Sequence, residues 1–252
     1  MPTNTSAKLN GKVAIVTGSS RGLGATIATH LASQGAQVVV NFVNSAEKAN
    51  LVVSAIKDNC GEAIAVKANI GTEDGPQKLV DETVKAFGHI DIIVNNSAIL
   101  KVEELGEIMT ANFDDSYAIN VRGPLLLVQA SLPYLRDNGR IINISSTSAR
   151  AGYPGLSVYG GTKGAIEAMS RVWASELGPK RNITSNCVGA GPIMTDMIND
   201  DVEWAKGMTV NAPLPRIASP ADIADIVGFL ASEQSHWVTG DVINANGGII
   251  FY

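Results

Sequence analysis

The stretch Val13-Ala14-Ile15-Val16-Thr17-Gly18-Ser19-Ser20-Arg21-Gly22-Leu23-Gly24 decides the fold. Its short, unbroken apolar run reads as a strand covered on both faces. Three glycines then turn the chain into a helix whose Ile27 and Leu31 face inward. At such a turn the backbone can approach a pyrophosphate, and the helix N-terminus offers N–H groups and a positive dipole. The spacing is Gly-x-x-x-Gly-x-Gly, not the commoner Gly-x-Gly-x-x-Gly. Gly18, Gly22, Leu23 and Gly24 are thus candidate phosphate-binding positions. The plain alternative, a glycine-rich turn with no ligand, is disfavoured by its place directly after the first strand.

Further apolar bursts follow at Gln37–Phe42, Ala63–Ala68, Ile90–Asn95, Arg140–Ser145, Thr184–Val188 and Val242–Asn244. Between them lie amphipathic stretches: Gly24–Ser33, Ala46–Asn59, Pro76–Phe87, Phe113–Leu135 and Gly161–Leu177. Strand–helix alternation of this kind predicts an α/β fold with a doubly wound parallel sheet and right-handed crossovers. No linker, charge block or repeat divides the chain. We expect a polar tail over residues 1–10 and a single catalytic domain over 11–252. Residues 192–220 break the rhythm with Met, Trp and several Pro, as a substrate loop or lid would.

The 252 residues carry a formal net charge of −5 and a mean hydropathy of +0.13. An acidic chain is a poor partner for nucleic acid or an anionic membrane. No apolar run approaches the ~18–20 residues that span a bilayer. Charged residues make up 17% of the chain, below the roughly 25% usual for soluble domains, which points to surface hidden in subunit contacts. Cys60 and Cys187 are too few for a disulfide framework and fit a reducing, cytoplasmic setting. His30, His89 and His236 are scattered without metal-ligand spacing, so no metal is expected.

The end of the second strand bears on the choice of nucleotide. An NAD site usually places Asp or Glu there to bond the ribose 2′-OH. Here Asn41 stands in that place, with Ser45 beyond it and Arg21 in the glycine turn. An arginine fork suits a phosphate, so the expected cofactor is NADP(H), and Asn41→Asp is expected to favour NADH. Farther along, Tyr159 and Lys163 are four apart and share one helix face. A free tyrosine has a pKa of about 10; a neighbouring ammonium stabilises phenolate and makes Tyr159 a usable acid or base. Ser146, at a strand end, can bond the substrate oxygen from a second direction, and Asn120 lies in the preceding helix.

Taken together, TGSSRGLG (Thr17–Gly24), NNSA (Asn95–Ala98), Asn120, Ser146, YGGTK (Tyr159–Lys163) and GPIMTD (Gly191–Asp196) resemble the single-domain branch of the short-chain dehydrogenase/reductase family. The resemblance covers about Gly11 to Gly248 and is nearest to fungal reductases of polyphenolic ketones and to oxoacyl-thioester reductases. It implies a Rossmann-like, three-layer αβα fold with seven parallel strands and an Asn120–Ser146–Tyr159–Lys163 group. In that scheme Tyr159 is the acid and Lys163 lowers its pKa and holds the nicotinamide ribose. Ser146 orients the carbonyl, and Asn120 supports a water leading to Lys163. The resemblance also places Asn69 and Ile70 at the adenine, Asn96 and Ser97 by the ribose, and Ile193 and Thr195 at the carboxamide. A homotetramer is the usual family assembly. Four positions differ from the family's pattern: Ser97-Ala98 for Ala-Gly, Ala190 for Pro, and Asn69 for Asp.

The expected reaction is NADPH-dependent reduction of an apolar or aromatic ketone, or its reverse on an alcohol. Tyr153, Met194, Met197, Trp204 and Met208 would ring the substrate entrance. Oxoacyl-thioester reduction is the enzymatic alternative, with Arg136, Arg140, Lys180 and Arg181 as possible carrier contacts. A catalytically silent NADP(H)-binding scaffold or sensor is the alternative of another class.

Overall fold

The computed structural model describes residues 8–195 and 202–251. Its strands are β1 (Val13–Val16), β2 (Gln37–Phe42), β3 (Glu62–Lys67), β4 (Ile90–Asn95), β5 (Leu135–Ser146), β6 (Thr184–Ala190) and β7 (Val242–Ala245). They form one parallel sheet in the order β3-β2-β1-β4-β5-β6-β7. The chain builds outward from β1 to β3, then returns and builds the other way from β4. Ligands of open α/β sheets bind at this reversal, beyond the carboxyl ends of the strands.

The unbroken apolar runs follow from burial on both faces. Ala14 and Val16 of β1, with Val38 and Val40 of β2, pack against α1 (Gly22–Ser33), α2 (Ala46–Asp58) and α8 (Pro220–Ala231). The alternate residues Ile15, Val39, Ile93 and Ile141 meet α3 (Gly75–Phe87), α5 (Gly123–Ser131) and α6 (Ser157–Arg181) on the opposite face. Each such side chain contributes about 1.5–3 kcal/mol on burial. The result is the expected three-layer, doubly wound fold.

Several boundaries differ from the sequence reading. The helix expected over Phe113–Leu135 is α4 (Thr110–Tyr117), a π turn (Ala118–Arg122) and α5. Pro124 opens α5, where its missing N–H costs least. Gly123 lies so close to Ile70 that a Cβ would sit 2.6 Å from the Ile70 carbonyl oxygen. β5 begins at Leu135 rather than Arg140, because Leu135 pairs with Ile90 across a register shift. α6 begins at Ser157, which puts Tyr159 in its first turn. At the N-terminus, Leu9 is buried and its N–H donates to Gln34 O at 2.9 Å, so this side chain packs into the fold while Lys8 and Asn10 stay exposed. The substrate-loop region contains α7 (Val202–Thr209), and its base is closed by an Ile193–Ala218 bridge. A capping box of Ser219 and Asp222 then starts α8.

Candidate active site

A cleft of about 840 Å³ opens at the carboxyl ends of β1, β2, β4, β5 and β6. Its floor is the turn between β1 and α1. Thr17 is fully buried and its hydroxyl accepts from Asn96 N and Ser97 N, both at 3.0 Å. Asn96 Nδ2 returns a bond to Thr17 O at 2.8 Å. These bonds lock the end of β4 onto the turn. Gly24 is required by space: a Cβ there would lie 2.5 Å from Gly18 O and 2.6 Å from Asn96 Nδ2. Gly22 is required by backbone, at φ +53°, while a Cβ there would meet only Thr195 at 3.7 Å. No side chain caps α1, so its first N–H groups are left to the cleft.

Arg21, Gly18, Gly22, Leu23 and Gly24 all line the cleft, as do Ser45, Asn69, Ile70, Asn96, Ser97, Ile193 and Thr195. Asn41 does not. It is 1% exposed; its Oδ1 accepts from Gly18 N, and its Nδ2 donates to Val66 O and Ala68 O. This corrects the reading of Asn41 as a cofactor-facing position: its amide is consumed in tying β2 to the glycine turn and β3. The residues of this strand end that do reach the cleft are Phe42, Val43, Asn44 and Ser45. Asn44 escaped the sequence reading, which took Asn41 and Ser45 from this stretch and passed over the polar residue between them. Among the described lining residues none is acidic, whereas Arg21, Lys101 and Lys163 are basic.

At the far end stand Ser146, Tyr159 and Lys163. Ser146 accepts from Ser148 N at 3.1 Å and donates to Ser148 Oγ at 3.2 Å. Lys163 Nζ lies 5.5 Å from the Tyr159 ring centre and donates to Ile144 O at 2.7 Å. Burial pushes the Tyr159 phenol up to about 12, against the opposing Ser146 hydrogen bond. Burial also brings Lys163 down to about 8, with Cys187 nearby acting the other way.

Asn120 stands behind the cleft wall. The π turn directs its amide at Ile99, whose N–H it accepts and whose carbonyl it meets, both at 2.9 Å, and at Thr162 Oγ1 at 3.1 Å. It braces the Ile99 loop against α6. The rest of this end is apolar, with Ile99, Leu100, Leu156, Trp204 and Met208. Tyr153 stacks edge-on to Trp204 at 6.5 Å. Met194 is exposed and outside the lining, and Met197 lies outside the described residues.

Ser97 turns its hydroxyl toward Gly18, where a Cβ would lie 2.6 Å from Ser97 Oγ. Asn69 Oδ1 accepts from Gly71 N at 3.0 Å. Arg136, Arg140 and Arg181, weighed as carrier contacts, are committed elsewhere. Arg136 grips Asp91, Arg140 bonds Asn138 O and Glu233, and Arg181 bonds Asp137. Arg136 and Arg140 sit at the start of β5, the end of the sheet away from Ser146.

The cleft fits an anionic dinucleotide on three counts: an uncapped helix N-terminus, glycines that admit close backbone approach, and a lining with cations and no carboxylate. Residues 18–250 match the family described as Enoyl-(Acyl carrier protein) reductase. The short-chain dehydrogenase/reductase FrzI of Cladobotryum sp is 43% identical, over 98% of this chain and 99% of its own. Elsinochrome reductase 1 of Elsinoe fawcettii is 41% identical over 96% of each. Among solved structures, the angucycline C-6 ketoreductase LanV with bound NADP superposes with a TM-score of 0.91, at 35% identity over 96% of each chain.

Proposed function

The chain belongs to the short-chain dehydrogenase/reductase family, and from that we propose that it is an NADPH-dependent carbonyl reductase of apolar or aromatic ketones. The observation that carries this is that Ser146, Tyr159 and Lys163 line the same end of the cleft, with the Lys163 ammonium 5.5 Å from the Tyr159 ring centre. Two hydroxyls converging from different elements suit one carbonyl oxygen. Bound NADPH supplies the hydride. Ser146 orients the oxygen, Tyr159 gives it a proton, and Lys163 holds the charge that the phenol leaves behind. Asn120 serves by holding Ile99, and with it one wall of the cleft.

The glycine turn and the N-terminus of α1 would hold the pyrophosphate, and Arg21, Asn44 and Ser45 the 2′-phosphate. Asn69 and Ile70 suit the adenine, Asn96 and Ser97 the ribose, and Ile193 and Thr195 the carboxamide. The apolar wall of Ile99, Leu100, Leu156, Trp204 and Met208 favours a flat, apolar ketone. Oxoacyl-thioester reduction is less well supported, because three of the four basic residues weighed for a carrier, Arg136, Arg140 and Arg181, are spent in internal bonds. A silent scaffold would have no use for a buried Lys163 ammonium set beside a cleft-lining Tyr159, which costs desolvation. The test is NADPH consumption by the purified protein on tetralone and on an acetoacetyl thioester of N-acetylcysteamine. Turnover on tetralone is expected to exceed that on the thioester; inertness toward both would end the reading.

We read the chain as one catalytic unit, since both halves contribute strands to the same sheet. Exposed apolar residues include Phe113, Leu125 and Val172 on α4, α5 and α6, and Phe229 on α8 with Trp237 and Phe251 toward the C-terminus. Such exposed apolar side chains suit subunit contacts in a homotetramer, and the two free cysteines suit the cytoplasm. Ile249 packs on Gly191 of its own subunit, while Phe251 is 82% exposed. Deleting Ile249–Tyr252 should therefore shift sedimentation toward dimers and raise KM; an unchanged tetramer would count against the tail as an interface.

A further inference from the structure

Glu167 is a buried carboxylate that this chemistry does not use; it is 4% exposed. It lies one turn beyond Lys163, so Tyr159, Lys163 and Glu167 recur every four residues along one face of α6. Its Oε1 accepts from Ser145 Oγ at 2.8 Å, and its Oε2 accepts from Arg150 Nε at 3.2 Å. Ser145 immediately precedes Ser146. Arg150 immediately follows the 3-10 turn Thr147–Ala149. One carboxylate thus grips both ends of the segment that presents Ser146 and Ser148 to the cleft. Lys163 adds a third hold through Ile144 O.

Stability alone does not call for such a group. A buried carboxylate is costly, and apolar side chains of similar volume often serve as well or better. What an ion pair adds is direction. Ser146 has little freedom of its own choosing, because its hydroxyl is bonded to both the N–H and the hydroxyl of Ser148. The position of the whole turn therefore sets where that hydroxyl points.

We propose that Glu167 is a positioning residue: through Ser145 and Arg150 it clamps the Ser146–Ser148 turn so that Ser146 and Tyr159 meet the same substrate oxygen. The proposal rests on the carbonyl-reductase reading. Misplacement of a reacting group by about 1 Å can cost on the order of 10²-fold in rate, so loosening the clamp should act on kcat rather than on NADPH affinity.

The experiment compares Glu167→Gln, Arg150→Met, Arg150→Lys and the Glu167→Gln/Arg150→Met double variant on tetralone with NADPH. Each of the first two should lower kcat about 10-fold with NADPH affinity and melting temperature held. The double should be no slower than the slower single, because both break one clamp. Arg150→Lys, which keeps the charge, should retain most turnover. Hydrogen exchange of the Thr147–Ala149 amides should quicken in Glu167→Gln while that of α1 is unchanged. Unaltered exchange, additive losses, or a rate loss matched by lost NADPH affinity would each overturn the clamp. The exchange measurement does not need turnover: quickened exchange in a chain that ignores tetralone leaves the clamp standing and removes the carbonyl-reductase reading instead.

Discussion

Replacing Asn41 by Asp separates two accounts of the second strand end. If Asn41 faced the cofactor, the new carboxylate would repel a 2′-phosphate and favour NADH. In the structure the side chain is buried, with Nδ2 bonded to Val66 O at 3.3 Å and Ala68 O at 2.9 Å. Asp keeps the acceptor for Gly18 N but loses both donors and turns an oxygen toward two carbonyls. Each buried acceptor left unsatisfied costs about 1–3 kcal/mol, so the pair costs about 2–6 kcal/mol. For a chain of this length each kcal/mol lowers Tm by about 2–4 °C, giving a fall of about 4–24 °C. The carboxyl regains a donor only by taking a proton, which raises its folded-state pKa. The folded state then binds more protons than the unfolded one, so the loss of stability should deepen as pH rises above the ordinary carboxylate range. Thermal melts at several pH values and kcat/KM for both cofactors are the assay. A variant that melts with the parent and prefers NADH would refute the reasoning. Asn44→Asp and Ser45→Asp, at positions that line the cleft, should lower the NADPH preference about 10-fold or more, roughly 1.4 kcal/mol, with Tm held.

Tyr159→Phe should cut kcat by about 10²–10⁴-fold while NADPH still binds; retention of most turnover with chemistry rate-limiting would move the acid elsewhere. Gly24→Ala should cost about 1–3 kcal/mol through overpacking against Gly18 O and Asn96 Nδ2, with loss of NADPH binding. Gly22→Ala, strained at φ +53° but unobstructed, should be the milder change in both melting and binding measurements. Lys163 sits near 8 when folded against 10.5 in the free side chain, so above pH 8 the unfolded chain holds the extra proton and stability should rise toward pH 10.5. Denaturant titrations of Lys163→Met across that range should lack the rise.

Much of the site was legible because its chemistry is local. Gly18, Gly22 and Gly24 mark a turn whose backbone needs are written in residue type, and Tyr159–Lys163 depends only on helical spacing. The three-layer sheet was legible for a similar reason: runs such as Val38–Val40, unbroken by polar residues, can be buried only between two layers. Boundaries were less so. The π turn at Ala118–Arg122 has no periodicity of its own, since it forms where Asn120 finds Ile99, a partner 21 residues away in sequence. The early start of β5 likewise depends on pairing Leu135 with Ile90.

The sequence by itself determined the layering, the glycine turn and the identities of the proton-transfer side chains, because each follows from the preferences of neighbouring residues along one strand or helix. The tertiary structure decided what those side chains spend their bonds on. It turned Asn41 inward to β3 and let Asn44 and Ser45 face the cleft. It made Asn120 a brace, withdrew the Tyr159 phenol from water enough to raise it, and placed Glu167 across both ends of the Ser146 turn. Burial and hydrogen-bond satisfaction are properties of surroundings assembled from distant segments, and no stretch of chain contains its own surroundings.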